Sequence, residues 1–323
     1  MASISLQRTN VRTHPSTTTL ELVCPAANPA ALRAAVENGA DWIRLDHRPS
    51  GGAETIGSFS SDVRLAKAIL FAHDRKRKIV LNLPSLSPQE SWSDLCTSIA
   101  VAHDVGIDAV MLSDPGLMLY AAVHYPKLRV HYTMPAIAAS GDMITHIRRQ
   151  FGVTRLAVPR LLSFAQLATL AGDASVELEV IGFSPLFAAT ALSRRPSNLE
   201  ETRSYEPGAH SAYHAGENAL CLSEPSVSRC ATDDDASNDD CYTEGNLDTL
   251  SVLTLLPRLA ATGIRAIQVD VAADAPGEVA RVTRIWREAI DDCFNDVEHY
   301  VVKPTWIRQL NRLRGRRSPQ LTR

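Results

Sequence analysis

Residues able to do chemistry recur in this chain of 323 residues at one kind of place, at the end of a short apolar run. Cys24, Asp46, His47, Asn82, Asp114, His131, Arg160, Glu179 and Asp270 all stand at or near such positions. Glu179 and Asp270 are carboxylates suited to general acid or base work, and His131 is a base that titrates near neutrality. Cys24, ahead of Pro25, is a thiolate nucleophile where a base adjoins it. Arg160, after Pro159, offers a planar fork to a substrate carboxylate, with Asn82, Asp46 and Asp114 as further substrate-binding groups. Each has a structural counterpart reading. A Cys in an apolar strand is a small buried hydrophobe, and a His within a strand is a hydrogen-bonded core residue. Glu179, between Leu178 and Val180, is one half of an internal salt bridge with a partner such as Arg160.

Cys221, Cys230 and Cys241, with His210 and His214 nearby, form a second set, a candidate three-cysteine or cysteine-plus-histidine metal site. Their spacing matches no C-x-x-C ligand pattern. The sequence has no H-E-x-x-H metal motif and no G-x-S-x-G elbow, so proteolysis has no assigned metal or nucleophile.

The elements that must hold these groups alternate. From Leu20 onward short β-branched runs trade places with segments of helical period, the pattern of repeated βα units on a parallel sheet. Eight strands are predicted, over 20–24, 42–46, 79–83, 109–113, 130–133, 156–158, 176–181 and 266–271. Asn28 before Pro29 is a predicted helix start and Asn38 with Gly39 its end. Ser60 or Ser61 and Asp114 with Pro115 open two more helices, and Gly106 and Gly263 close others. Eight such units favour a TIM-type parallel (β/α)8 barrel, with a doubly wound open sheet as the alternative. In the barrel, catalytic groups gather at the C-terminal ends of the strands.

The barrel domain spans 19–296, after a flexible N-terminal arm over 1–18 and before a basic tail over 297–323. Residues 193–246, polar and acidic with the run Asp233 to Asp240, interrupt the rhythm after the seventh strand. They read either as a lid or cofactor-binding loop or as an irregular excursion. The tail carries Arg308, Arg312, Arg314, Arg316 and Arg317, a cluster that reads as a phosphate or acidic-lipid contact or as a solvated, frayed end. Net charge is −3, which gives no reason to expect a nucleic-acid surface over the whole body. Hydrophobic residues make up 45% but never in the run of roughly 18 that a membrane span needs. Six cysteines in a chain this long indicate a reducing compartment and a cytoplasmic protein.

The run from Glu21 to Asn28, ELVCPAAN, followed by AAVENGAD from Ala34 to Asp41, resembles the opening motif of the collagenase-like peptidase family, family thirty-two of the unclassified peptidases. Further similar stretches are DAVMLSD from Asp108, VPRLLS from Val158 and VTRIWREAI from Val282, so the likeness runs over most of the chain. It is nearest the UbiU-like branch, whose members work in oxygen-independent ubiquinone biosynthesis with a UbiV-like partner subunit. The resemblance implies a parallel α/β barrel, ring hydroxylation in a heteromer and a prenylated aromatic substrate. It also implies a small carboxylate as oxygen donor, bound by Arg160, and a four-iron four-sulfur cluster on four cysteines. The chain departs from that pattern where two of the cysteines belong. Phe187 stands at one position, and the second stretch reads Ala191-Leu-Ser-Arg194, which leaves Cys221 as the one counterpart of a family ligand. At the eighth strand Gln268-Val-Asp-Val-Ala272 replaces a Lys-x-Glu-Gly-Arg motif, with Asp270 keeping the acidic position. A non-catalytic binding subunit and a hydrolase are the two other readings.

Overall fold

The computed structural model describes residues 20–46, 62–83, 91–134, 141–158, 164–173, 176–183 and 253–315. The boundaries of its elements follow local chemistry. Asn28 takes an extended conformation and its side chain accepts from the Ala31 N–H, with Pro29 supplying the first helical φ without a donor to satisfy. Asp114 does the same for the helix that begins at Pro115, accepting from Leu117 N–H at 3.0 Å. Gly39, with φ of 98°, turns the chain out of the first helix. A Cβ there would lie 2.6 Å from Arg287 Cγ, so the position demands glycine both for its backbone and for the close approach.

The strands are β1 (Glu21–Pro25), β2 (Trp42–Asp46), β3 (Lys78–Asn82), β4 (Ala109–Leu112), β5 (Arg129–Thr133), β6 (Val153–Ala157), β7 (Glu177–Phe183) and β8 (Ala266–Val269). Every neighbouring pair is parallel, and β8 pairs with β1, closing the barrel. The helices among the described residues are α1 (Pro29–Glu37), α2 (Asp62–His73), α3 (Trp92–Asp104), α4 (Pro115–His124), α5 (Gly141–Phe151), α6 (Phe164–Asp173), α7 (Leu256–Ala261), α8 (Pro276–Asn295) and α9 (Pro304–Gly315). The open-sheet alternative is therefore excluded.

Strand alternation divides the core in two. Outward residues such as Leu22, Cys24, Ile43, Leu45, Val110 and Leu156 pack against the helices. Inward ones, Val23, Trp42, Val80, Ala109, Met111 and Ala266, form a smaller apolar cluster inside the barrel. The remaining lumen is polar.

Two boundaries differ from expectation. β6 begins three residues before the predicted 156, because α5 stops at Phe151 and Gly152, with φ of 65°, reverses the chain at once into Val153. The tail read as solvated contains α9, whose Trp306, Leu310 and Leu313 are buried in the main core. Its apolar residues recur at i, i+4 and i+7, a helical stripe that the density of arginines between them obscures. Residues 193–246, with Cys221, Cys230 and Cys241, lie outside the described residues, as do residues 1–19 and Ser60 and Ser61.

Candidate active site at the C-terminal mouth of the barrel

Three of the sequence-predicted groups, Asp46, Asn82 and Asp270, meet at the C-terminal ends of β2, β3 and β8, and two residues absent from that prediction, Arg44 and Gln268, join them. Arg44 on β2 lies between two aspartates, with Nε 3.2 Å from Asp46 Oδ1 and Nη1 3.0 Å from Asp270 Oδ1. The Asn82 amide donates to Asp46 Oδ1 at 2.9 Å, and the Gln268 amide donates to Asp270 Oδ1 at 2.9 Å. The result is a continuous array, Asn82, Asp46, Arg44, Asp270, Gln268, across three strand ends. Trp42, Arg44 and Asp46 share the inward face of β2, which is why the guanidinium rises from within the barrel to the carboxylates above it.

Burial alone would lower the Arg44 pKa. The facing carboxylates Asp46, Asp270 and Glu179 outweigh it and raise the value above the ordinary one, so Arg44 is a permanent, largely buried cation. All contacts of this array on the two aspartates fall on Oδ1.

Below the mouth the lumen holds a second charged group. Arg155 is 1% exposed and lies among Glu21, Glu177 and Glu179. Its Nε donates to Glu177 at 2.9 Å, Nη2 contacts Glu21 and Glu177, and Nη1 stands 3.5 Å from Glu179 Oε2. Trp42 donates to Glu21 at 2.8 Å, and Lys78 and Arg129 complete the ring from β3 and β5. Burial would raise the Glu21 pKa, but Arg155 and Trp42 prevail and it is lowered. Glu179 is the opposite case: full burial raises its pKa, and Arg155 and Arg44 only partly offset that. The predicted salt bridge inside the barrel exists, with Arg155 as its described partner. The 153–157 run VTRLA places Arg155 on an inward position of β6, a signal that a strand start at 156 conceals.

His131 is wholly buried beside Arg155, edge-on to Trp42 with ring centroids 5.1 Å apart. Among the described residues neither ring nitrogen has a hydrogen-bond partner. Burial first, then the cations Arg155, Arg129 and Lys78, lower its pKa well below the usual value, so the ring is neutral. It sits inside the barrel and not at the mouth. Cys24 points out of the lumen. Its Sγ accepts from the Thr283 hydroxyl on α8 at 3.2 Å, and burial pushes the thiol up to about 12, the reverse of what a thiolate nucleophile requires. Asp114 is occupied as the cap of α4. Arg160 and His47 lie outside the described residues.

Among the described residues no three His, Cys, Asp or Glu side chains are placed to hold a metal ion. Cys24, Cys96 and Cys293 are each buried and unpaired, and do not make a ligand set for an iron–sulfur cluster. No described helix is long and apolar enough to cross a membrane.

Known proteins resemble this chain over its length. tRNA hydroxylation protein P1 of Bacillus subtilis is 19% identical over 92% of this chain and 69% of its own. tRNA hydroxylation protein P2 of the same organism is 22% identical over 80% of this chain and 82% of its own. The 23S rRNA 5-hydroxycytidine C2501 synthase of Escherichia coli is 24% identical over 50% of this chain, but that match spans only 24% of the larger protein. The family model that fits, Peptidase family U32, covers residues 27–321, from the first helix cap through α9. A closed eight-stranded barrel and a family match of that extent agree, and the chain belongs to Peptidase family U32.

Proposed function

We propose that this chain takes part in the hydroxylation of RNA, receiving a nucleobase at the C-terminal mouth of its barrel. The observation that carries the reading is the fixed array of Asn82, Asp46, Arg44, Asp270 and Gln268. Two carboxylates and two amides pinned by a largely buried cation are what reads the polar edge of a base, because carboxylates accept from exocyclic amines and amides match donor–acceptor pairs. The named activities of the similar proteins supply the reaction class. None of the three is named for ubiquinone, so RNA replaces the quinone ring suggested by the UbiU-like resemblance. It also replaces the expectation of no nucleic-acid partner.

A stacked base must leave its helix to reach such a mouth, and the polar array offsets part of that cost with hydrogen bonds. Arg44 fixes Asp46 and Asp270 in place before substrate arrives, so little reorganisation accompanies binding. Asp270 and Asp46 are the groups placed to take the ring proton that leaves when the carbon is hydroxylated. Glu179, beneath them, adds to the negative field that keeps Arg44 charged.

Oxygen transfer is a redox step, and the described thiols Cys24, Cys96 and Cys293 are buried and form no ligand set for a redox centre. Cys221, Cys230 and Cys241 are the thiols left for an iron centre, one short of the four that a four-iron four-sulfur cluster takes. We assign the missing function either to them or to a second, UbiV-like subunit, with Arg160 as the anchor for a small carboxylate co-substrate. We assign the chain to the cytoplasm, together with the RNA it would act on.

The test is nucleoside mass spectrometry on total tRNA and rRNA from cells with and without the gene. The reading expects a nucleoside one oxygen heavier than its parent to vanish in the deletion. Identical nucleoside profiles would refute it. Iron and sulfide analysis of anaerobically purified protein decides where the redox group sits: iron that stays with Cys221→Ala, Cys230→Ala and Cys241→Ala variants places it elsewhere.

A further inference from the structure

Outside the barrel, α8 and α9 enclose a cleft of about 530 Å³ lined by Arg281, Thr305, Arg308, Gln309 and Arg312. Its direction follows from contacts at the other end of the helix pair. Lys303 meets Asp292 at 2.5 Å and the Trp306 indole donates to Glu288 at 3.0 Å, so α9 starts beside the last turns of α8. Arg308 and Arg312 then approach Arg281, near the first turns. Because α8 leaves β8 at the barrel mouth, the cleft climbs toward the face that carries Arg44 and Asp270. Thr305, Arg308 and Arg312 recur at i, i+3 and i+7, one face of α9, while Trp306, Leu310 and Leu313 anchor the other in the core.

Among the described residues, Arg281, Arg308 and Arg312 have no carboxylate partner. Arg287, further along α8, spends its guanidinium on Asp41 and Asp291. Residues 303–323 contain seven Lys or Arg and no Asp or Glu. Three arginines lining one cleft, with Thr and Gln hydroxyl and amide donors beside them, are the donor set that a phosphodiester backbone calls for.

We infer that the cleft between α8 and α9 binds the phosphate backbone of the RNA whose base enters the mouth. This inference rests on the RNA reading of that mouth. It divides the labour: the outer cleft holds the polyanion without reading sequence, and the mouth array selects the base.

Fluorescence anisotropy of labelled bulk tRNA with the full chain tests it, across a salt series. Arg308→Ala with Arg312→Ala is expected to weaken binding about tenfold near physiological salt. The same pair should flatten the dependence of log affinity on log salt by about 0.7 to 0.9 for each phosphate no longer neutralised. Arg308→Lys with Arg312→Lys, which keeps the charge, should restore most of both. Both side chains are exposed, and matched thermal melting confirms an intact fold. An alanine pair that binds tRNA like the parent overturns the inference. So does loss of binding to vesicles of anionic phospholipid with tRNA binding unchanged, which would make the cleft a membrane contact. If tRNA binds through the cleft yet no nucleoside changes in the gene deletion, the cleft stands and the hydroxylation reading falls. If a nucleoside is missing from the deletion but the parent protein binds no tRNA, the reverse holds.

Discussion

His131 illustrates how burial sets the role of a single side chain. Facing Trp42, Arg155, Arg129 and Lys78 inside the barrel, it is held neutral, so its folded pKa lies well below the 6.5 of an exposed imidazole. A depressed histidine contributes stability that is complete above pH 6.5 and is lost as pH falls, since the unfolded chain takes up a proton that the folded one refuses. The slope reaches about 1.4 kcal/mol per pH unit. Glu179, raised by burial, has the opposite sign: its ionisation costs stability as pH rises through its folded pKa. Comparing the parent with His131→Phe isolates the imidazole, and the parent should lose more melting temperature than the variant between pH 7 and pH 5. Parallel profiles would show that His131 protonates freely. Arg155→Met leaves buried Glu179 without its salt-bridge partner, while Glu21 and Glu177 keep Lys78 and Arg129, and is expected to cost about 3–5 kcal/mol by urea denaturation. At this scale the sequence points to Asp46, Asn82 and Asp270 because they end strands. Arg44 and Arg155 are harder to see because they lie one inward step before the strand ends, where alternation places them in the lumen but an apolar expectation excludes them.

Elements with chemical punctuation are legible in the sequence, and those with crowded charge are not. Asn28, Asp114, Gly39, Gly106 and Gly263 mark boundaries that appear where expected, since a cap or a positive φ requires particular residue types. α9 is hidden because its apolar stripe of three residues is set among arginines, and its burial depends on the surface of α8. Leu310→Ala should therefore cost about 2–4 kcal/mol, well above a surface substitution, in a chemical melt. β7 offers a second test of element packing. A Cβ on Gly182 would lie 2.5 Å from Ile267 Cγ2 and 2.7 Å from Trp286, so Gly182→Ala forces β7 away from β8 and α8 and should lower stability by about 1–3 kcal/mol or more.

For the molecule as a whole, the average charge is the misleading quantity. A net −3 argues against nucleic acid, yet the segment 193–246 alone carries eleven Asp or Glu against four Arg, and the tail beyond residue 302 is wholly basic. Opposite charges segregated along one chain cancel in the sum and not in the field near each face. The barrel itself can be read from eight spaced apolar runs, whereas its polar lumen requires knowing which inward positions meet across the closed sheet. The central claim is that a nucleobase is hydroxylated at the mouth built on Arg44. Its most direct measurement is the content of oxygen-bearing nucleosides in RNA from deletion cells carrying the parent gene or the Asp46→Asn and Asp270→Asn double variant. The parent should restore the missing nucleoside in full and the double variant should restore less than about a tenth of it, at equal protein level. Full restoration by the double variant would contradict the claim.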